Sequence, residues 1–411
     1  IQVISGIKMP KTLMDIVKGP WRKTPGNSLV AFHDNAGAIE GPMVEVLLPT
    51  APGRPSPFGR LMRRQHITAT AETHNHPTQF APFPGAATGV GGRIRDSRAV
   101  GRGGYMHAGD AGYCVGDRKR EISEFASPQK ILIEGSSGVS AYANEVGEPL
   151  IGGFARELDM DVPGPEGDER RAFLKPILYS AGLGRVLDLH LKKTKPEKGM
   201  LIIRIGGPAY RIGVGGGNAS SLAAGESSVE LNLKSVQRGN AEMENRVNRV
   251  ITTCIEMGGD NPIESIHDQG AGGPSNVLTE LMDPAGGRVE IRRIVSGDKT
   301  MSVLELWVAE YQEGYGVLIR PEKLEVFMLI CRRERVNCEV LGEITGDRNV
   351  VLSDSVDGTT PVSLSLKDIL SDLPQQPLQS EWMPSMFWVL TFFHFYLDRH
   401  AWTKKVGVQV T

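Results

Sequence analysis

The stretch Thr70–Gly103 reads TAETHNHPTQFAPFPGAATGVGGRIRDSRAVGRG and mixes reactive side chains with glycine. It holds one Glu, two His, one Asp, four Arg and six Gly, and every glycine lies at or after position 85. Glycine destabilises a helix interior by about 1 kcal/mol relative to alanine, and it is typical of backbone that turns sharply or closely approaches a ligand. The stretch therefore predicts an irregular segment that binds a phosphorylated, metal-bound ligand. A long surface loop is the alternative.

Composition limits the classes of protein to which the chain can belong. Its 411 residues suit two or three domains, and a hydrophobic content of 40% is enough for sizeable cores. A net charge of -2 gives no sign of a nucleic-acid-binding or polybasic membrane surface. The four cysteines are widely spread without a CxxC pair, which argues against a disulfide framework or zinc site and favours the cytoplasm.

We expect neither a signal peptide nor a membrane span. No charged segment followed by an apolar run begins the chain. The longest aromatic and apolar run, Met386–Leu397, is shorter than the roughly 20 residues that a span needs. Because residue 1 is Ile, the native start could lie upstream, and a plastid or another organelle is an alternative compartment.

Alternating patterns predict an α+β chain of two domains, residues 1–192 and 198–370, joined by the charged segment KKTKPEKG. Residues 371–411 hold three of the five Trp and are predicted to be a divergent tail outside the fold. Strands are predicted at 28–34, 43–49, 66–72, 130–134, 200–207, 262–267, 316–319, 339–344 and 350–352, and helices at 12–19, 242–257 and 275–282.

Glu72, His74 and His76 form the first candidate constellation. In extended chain these alternate residues would share one face. A carboxylate beside imidazoles can bind a metal or transfer protons. The competing interpretation is two histidines that are satisfied by local hydrogen bonds.

Glycines and charges follow between Gly85 and Asp96. A glycine-rich backbone can cradle phosphate oxygens with its N–H groups. Arg93 and Arg95 offer bidentate donors, and Asp96 can hold Mg²⁺. The chain has no GxxxxGK[ST] motif and no GxGxxG in a convincing strand–helix unit, so the P-loop and Rossmann classes are poor fits.

Weaker candidates lie in the second half. Gly213–Gly217 could form another phosphate cradle or a tight packing turn. Asp268 lies where a predicted strand meets a GAGG turn, a common position for a metal-binding carboxylate. Glu310 and Gln312 could orient a polar ligand or could simply be exposed.

Taken together, these segments resemble the synthetase part of the phosphoribosylformylglycinamidine synthase family, in its large single-chain form. The motifs keep the family's order and cover about residues 8–370. They are ETHNHP, PFPGAATGVGGRIRD, GRGG, NEVGEP, KPILYSAGLG, GGPAYRIGVGGGNASS, VQRGNAEME, HDQGAGG and MSVLELWVAEYQE. Aminoimidazole ribonucleotide synthetase and selenophosphate synthetase share single motifs but not the combination.

The resemblance implies a two-domain synthetase unit. Its first domain would form a β-barrel with an equivalent domain, and its second would be an α/β sandwich. The implied reaction is an ATP-dependent ligation of purine biosynthesis. ATP phosphorylates the formamide oxygen of formylglycinamide ribonucleotide, and glutamine-derived ammonia displaces phosphate from the iminophosphate. Mg²⁺ and Arg would stabilise charge on the transferring phosphoryl group.

Roles carry over by position. His74 matches the proposed proton acceptor, and Glu72, Asp96 and Asp268 match magnesium ligands. Substrate contacts are implied for Thr73, Asn75, His76, Arg95, Gln237, Glu310, Tyr311 and Gln312. Nucleotide contacts are implied for Gly85, Ala86, Ala87, Thr88, Gly89, Gly91, Gly92, Arg93, Gly152, Gly153 and Phe154.

The sequence also departs from the family. It matches only the first of two synthetase halves, and it shows neither the upstream histidine-rich stretch nor a glutaminase Cys–His–Glu constellation. From about Gln375 it leaves the family pattern, as a splicing or gene-model product would. We therefore expect little activity from this chain alone. The alternative is a non-catalytic ligand-binding or assembly fragment, with self-dimerisation through the first domain.

Overall fold

The computed structural model describes residues 2–4, 7–8, 10–117, 125–164, 167–221, 228–370 and 378–380. Its first part contains β1 (Gln2–Ile4), β2 (Ile7–Lys8), α1 (Leu13–Lys23), β3 (Ser28–Val30), β4 (Gly37–Ile39), β5 (Met43–Pro49), β6 (Phe58–Thr73), α2 (Asn75–Phe80), α3 (Pro82–Arg98), β7 (Tyr105–Val115), α4 (Pro128–Val146), β8 (Leu150–Glu157), β9 (Asp159–Gly164), β10 (Gly167–Ala172) and β11 (Ile177–Leu187).

Its second part contains β12 (Leu201–Gly206), α5 (Gly216–Ser221), α6 (Val229–Ser235), α7 (Ala241–Glu256), β13 (Ile263–Asp268), α8 (Gly273–Met282), β14 (Gly287–Glu290), α9 (Val303–Val308), β15 (Gly314–Ile319), α10 (Leu324–Glu334), β16 (Asn337–Ile344), β17 (Asn349–Asp354), β18 (Thr359–Ser365) and α11 (Leu366–Leu370). A last strand, β19 (Leu378–Ser380), pairs in parallel with β1.

Two seven-stranded sheets organise the described residues. The first has the order β3-β4-β6-β11-β7-β8, with β5 added to β6, and the second has the order β13-β15-β12-β16-β14-β17-β18. Helices α3 and α4 pack on each other, and α3 packs on β11 and β6. The α+β fold class is therefore confirmed. The first sheet is open in the described residues, and its closure into a barrel with an equivalent domain stays a prediction.

Helices cover both faces of the second sheet. On one face, Ile203 and Ile205 of β12 belong to the same buried cluster as α7 and α10 residues. On the other face, Ile202 packs with residues of α8 and α9. Alternate residues of β12 serve opposite cores, because successive strand side chains point to opposite faces. This arrangement confirms the predicted α/β sandwich.

The glycine-rich stretch is a helix, so its predicted irregular backbone is wrong. Helix α3 runs for 17 residues, most of them buried. A Cβ at Gly85 would lie 2.5 Å from the backbone nitrogen of Thr78, and one at Gly91 would lie 2.7 Å from the Tyr142 hydroxyl. These glycines allow neighbouring elements to approach closely. The burial of the helix offsets its poor intrinsic propensity.

The predicted strand at 130–134 is also wrong, since these residues lie in α4. Ser127 caps the start of the helix by accepting a hydrogen bond from the Lys130 backbone N–H, and Gly147 ends it with a left-handed φ of 83°. The cap residues outweigh the short apolar run ILI, which periodicity alone cannot assign to a strand or a helix.

Helices predicted at 12–19, 242–257 and 275–282 are confirmed within a few residues by α1, α7 and α8. The remaining predicted strands are confirmed by β3, β5, β6, β12, β13, β15, β16 and β17. The predicted linker contains neither a helix nor a strand. None of the helices in the described ranges is long and apolar enough to cross a membrane. Apart from β19, the predicted tail lies outside the described residues.

Candidate functional site

The junction between β6 and α2 places the first candidate residues. Glu72 lies near the end of β6 and is exposed, whereas His76 lies inside α2 and is buried. The prediction of a shared extended face is therefore wrong, because the chain turns into a helix directly after His74. The His76 ring packs edge-on against Phe80, at 5.0 Å between centroids. Burial lowers the pKa of His76 to about 4, which leaves its ring neutral.

His74 is held at both ring nitrogens. Its Nδ1 lies 2.5 Å from the Gly85 carbonyl oxygen, and its Nε2 lies 2.9 Å from Oε1 of Gln237. Both partners are oxygen atoms that can only accept, so the neutral ring can donate to one of them at a time, and only the protonated ring can donate to both. Burial lowers the pKa of His74.

Gln237 connects His74 to Glu310. The Gln237 amide nitrogen donates to one Glu310 oxygen, and the other oxygen accepts from the backbone N–H groups of Gly217 and Gly272 at 2.8 and 2.9 Å. The second glycine cluster thus packs around a carboxylate: a Cβ at Gly216 would lie 2.5 Å from Glu310 Oε2. This supports the packing-turn interpretation of that cluster.

Three carboxylates converge from distant parts of the chain. Glu72 comes from β6, Asp96 from α3 and Asp268 from the end of β13. Although solvent reaches part of Glu72, the surrounding protein atoms desolvate its carboxylate, and this desolvation together with the neighbouring Asp268 raises the pKa of Glu72. Burial, Asp268 and Glu72 together raise the pKa of Asp96 well above its ordinary value. Burial also raises the pKa of Asp268. Loss of solvent is thus the main cause of all three raised pKa values, and neighbouring negative charge adds to it for Glu72 and Asp96.

Asn35 and Lys193 belong to the same cluster and were missed by sequence reasoning. The Asn35 amide donates to Asp96 Oδ1 at 3.2 Å and to Asp268 Oδ1 at 2.8 Å. Lys193 donates to Asn35 Oδ1 at 3.0 Å and pairs with Asp34 at 2.7 Å. Asn35 thereby joins the two parts of the chain. Lys193 lies in the predicted solvated linker, where nothing distinguishes it in sequence from the neighbouring lysines.

Arg95 lies behind the cluster and is almost fully buried. It donates to the Gln312 side-chain oxygen, and its guanidinium lies 3.8–3.9 Å from Asp268, Glu244 and Glu313. Its Nε and one terminal nitrogen make no hydrogen bond to the described residues. Arg95 thus has two donors without a hydrogen bond, although both are buried and face carboxylates, and Glu244 and Glu313 are two further members of the site that no motif indicated.

The buried Glu244 side chain is expected to make the free energy of unfolding depend on pH. Burial raises its pKa from an ordinary 4.5 to about 7. The folded state therefore binds this proton more tightly than the unfolded state, and the contribution of Glu244 to the free energy of unfolding falls as pH rises from about 4.5 to 7. We expect Glu244→Gln to flatten this slope in urea unfolding. Glu242→Gln on the exposed side of α7 should leave the slope unchanged. An unchanged slope in Glu244→Gln contradicts the prediction.

The predicted nucleotide contacts lie on different elements. Gly85, Ala86, Ala87, Thr88, Gly89, Gly91 and Arg93 are buried in α3, and Gly92 is partly open to the cleft. Gly152, Gly153 and Phe154 lie on the exposed edge strand β8. Arg93 makes a bidentate ion pair with Glu148 and is fully buried, so it offers no open donor in this structure. Nucleotide binding by these residues stays a prediction.

The remaining residues predicted to contact the substrate differ in how far they are buried. Asn75 accepts a hydrogen bond from the Leu178 backbone N–H at 2.9 Å. Tyr311 is buried in the core of the second sheet, with the Arg204 guanidinium 4.8 Å from its ring centre. Thr73 is half-buried beside Glu72.

The carboxylate cluster suits a divalent cation. Within the described ranges, no group of three or more His, Cys, Asp or Glu side chains is already drawn together tightly enough to hold a metal ion. Burial raises the pKa values of Glu72, Asp96 and Asp268, and neighbouring carboxylates raise those of Glu72 and Asp96 further, so a bound Mg²⁺ would stabilise the charged forms. Carboxylate oxygens are also the ligands that Mg²⁺ prefers.

Comparison with known proteins shows what the chain is similar to. The family model for the AIR synthase related protein, C-terminal domain, matches residues 197–355. The protein of Arabidopsis thaliana named probable phosphoribosylformylglycinamidine synthase, chloroplastic/mitochondrial, is 46% identical over 91% of this chain. The human phosphoribosylformylglycinamidine synthase is 42% identical over 94% of this chain. The chain spans only 28% and 29% of the lengths of these two relatives.

Solved structures show the same fold. Thermotoga maritima PurL complexed with FGAR superposes with a TM-score of 0.65 and 21% identity, over 90% of this chain and 53% of that one. The ATP complex of the same protein gives a TM-score of 0.59 and 21% identity, over 79% of this chain and 47% of that one.

Proposed function

Because the chain belongs to the phosphoribosylformylglycinamidine synthase family, we propose that it forms the first synthetase half of an ATP-dependent amidoligase. Its ligands would be formylglycinamide ribonucleotide and Mg–ATP. The observation that carries this proposal is the cleft in which Glu72, Asp96 and Asp268 meet His74 and Arg95. These side chains come from both parts of the chain, and they supply acid, base and cation groups for phosphoryl transfer.

Each group has a distinct task in the proposed reaction. An amide oxygen is a poor leaving group, so phosphorylation by ATP must precede attack by ammonia. Arg95 would hold charged oxygens of the substrate with its unpartnered donors. Glu72, Asp96 and Asp268 would hold Mg²⁺, which when bound neutralises charge on the phosphoryl oxygens.

His74 would accept the proton that ammonia loses as it attacks. Its lowered pKa keeps the ring neutral near pH 7. In the tautomer whose Nδ1–H donates to the Gly85 carbonyl, Nε2 is the basic nitrogen, and once protonated it would donate to Oε1 of Gln237, 2.9 Å away. Gln237 and Glu310 would then orient the ring, as hydrogen-bonded partners of a general base commonly do.

The exposed face of the first sheet supports the proposed partners. Strand β8 has no buried residue, and Ile151 on it is 65% exposed. Leu47 and Phe58 on the β5–β6 hairpin are similarly open. Such an apolar sheet face is typical of an interface. We propose that it packs against the second synthetase half, or against a second copy of this chain. A glutaminase domain would supply the ammonia.

The compartment is part of the same proposal. The reduced cysteines expected from the sequence suit the cytoplasm. A plastid or mitochondrion is the alternative, which the name of the Arabidopsis thaliana relative favours.

Calorimetric titration of the full chain tests the proposal. We expect the wild type to bind Mg–ATP and formylglycinamide ribonucleotide. Asp96→Asn should weaken Mg–ATP binding at least about tenfold, because it removes charge from the cation site. The exposed Asp260→Asn is the matched control and should bind like the wild type. Unchanged binding by Asp96→Asn, or no binding by the wild type, contradicts the proposal.

The same samples separate the enzyme from a non-catalytic binding or assembly fragment. With ATP, substrate and ammonium chloride we expect little turnover, because the chain spans only 28% and 29% of the lengths of the two relatives compared above. Turnover near the rate of a full-length relative would overturn the expected inactivity. If the chain binds its ligands without turnover, and turnover appears when the second synthetase half is added, the enzymatic role is supported.

A further inference from the structure

A pocket of about 250 Å³ opens away from the proposed cleft. It lies where the ends of α3, α4 and α10 meet the side of α7. Arg98, Asn248, Arg249, Thr252 and Arg333 contribute to its wall. None of these residues belongs to the cleft or to any motif with an assigned role.

The wall of the pocket carries surplus positive charge. Three arginines face one acid, Glu334. Glu334 accepts from Nε of Arg249 at 2.6 Å and from Nε of Arg333 at 2.7 Å. A guanidinium has five N–H donors, so both arginines keep donors beyond these pairs. Arg98 adds a third guanidinium, which donates to the Thr252 hydroxyl at 2.9 Å.

Asn248 is the most informative residue of the pocket. It is only 5% exposed, yet neither its side-chain oxygen nor its nitrogen has a partner among the described residues. The Nε of Arg98, a residue 7% exposed, is likewise unpartnered. Leaving a buried polar group unpaired costs about 1–3 kcal/mol. An apolar side chain at this position of α7 would avoid that cost, which indicates that the amide serves a ligand.

A second pocket of about 300 Å³ extends the space. It shares Asn245 and Arg249 with the first and is also lined by Glu145, Glu242 and Arg246, and Arg246 donates to Glu242. The two carboxylates balance the charges of the two arginines in this second pocket, and their oxygens can accept hydrogen bonds from hydroxyl groups. The two pockets therefore differ in chemistry, with a cationic end and a hydroxyl-accepting end.

We propose that this double pocket binds a hydroxylated phosphate monoester, with its phosphate beside Arg98, Arg249 and Arg333. Guanidinium forks match phosphate oxygens, and the Asn248 amide supplies one further donor to them. The hydroxyl groups of the ligand lie toward Glu145 and Glu242. This site is independent of the proposed synthetase reaction.

Glycerol 3-phosphate is the probe for a calorimetric test on the full chain. We expect it to bind more tightly than inorganic phosphate, and we expect glycerol not to bind. Asn248→Leu should weaken binding at least tenfold while leaving the free energy of unfolding unchanged or higher. Arg333→Gln should also weaken binding. The control is Arg320→Gln, since Arg320 is a half-exposed arginine paired with Glu197 elsewhere in the fold, and it should bind like the wild type.

Three results would overturn the proposal. One is an absence of glycerol 3-phosphate binding by the wild type, and another is equal binding by wild type and Asn248→Leu. The third is equal affinity for glycerol 3-phosphate and inorganic phosphate, because the second pocket would then contribute nothing. Loss of binding in Asp96→Asn but not in Asn248→Leu would assign the probe to the cleft instead.

Discussion

Replacing Glu148 with Gln is expected to lower the free energy of unfolding by about 3–5 kcal/mol, because it leaves the Arg93 guanidinium buried without its counter-charge. Both side chains of this ion pair are fully shielded from solvent. Arg93 also donates to the Ser180 hydroxyl at 3.3 Å. No water can replace the lost carboxylate without opening the packing between α3 and the first sheet.

Two paired glycines make room for this ion pair. Gly109 of β7 and Gly182 of β11 are cross-strand partners. A Cβ on either would lie 2.5–2.6 Å from a terminal nitrogen of Arg93. The guanidinium therefore lies against bare backbone and cannot move aside to find another partner.

Urea unfolding provides the measurement. The exposed Glu145→Gln, three residues earlier on the chain, is the matched control and should change stability by less than about 0.5 kcal/mol. The double variant Arg93→Met, Glu148→Leu should recover part of the loss, since it removes both buried charges. If Glu148→Gln is as stable as Glu145→Gln, the ion pair does not hold the fold.

Replacing Gly138 with Ala is expected to destabilise the protein by about 3 kcal/mol, at the upper end of typical overpacking effects. A Cβ at this position of α4 would lie 2.2 Å from the Phe83 carbonyl oxygen in α3. The obstacle is backbone, so the two helices must separate. Separation would also displace Tyr142, whose hydroxyl donates to Glu313 at 2.8 Å beside Arg95.

Gly135 is a matched control in the same helix. A Cβ there would meet Tyr113 and Ala86 at 3.8–3.9 Å, which is ordinary contact. Gly135→Ala should therefore be neutral or stabilising by up to about 1 kcal/mol, the gain in helix propensity. Thermal and urea unfolding of both variants measure the difference in stability. Equal stability of Gly138→Ala and Gly135→Ala would show that the helices do not need this close approach.

The second part of the fold was largely predictable from sequence. The run at 200–207 predicted the buried strand β12, and the spacing of apolar residues at 242–257 predicted α7. The first part of the fold was harder to predict, because α3 is rich in glycine and α4 begins with a strand-like run. Both helices owe their stability to contacts with each other and with the sheet, which local patterns do not contain.

The residues of the candidate site also divide into those that the sequence indicated and those that only the folded structure revealed. Glu72, His74, Asp96 and Asp268 were singled out by residue type and motif. Asn35 and Lys193 were not, although they join Asp96 and Asp268 through hydrogen bonds of 2.8–3.2 Å. A neutral amide after a short strand and a lysine in a charged segment are common, and only their convergence makes them part of the cluster.

The residue types of the opening stretch indicated a site for a phosphorylated, metal-bound ligand, and the ordered motifs along the chain indicated the family. The amino-acid sequence determines the family and the reactive groups, because each reactive side chain belongs to a recognisable motif. Whether the glycines bend around a ligand or pack a helix was decided only by tertiary structure. A missing Cβ permits both outcomes, and the nearby Thr78, Tyr142 and Glu148 that select the helix are distant in sequence or invisible to local pattern.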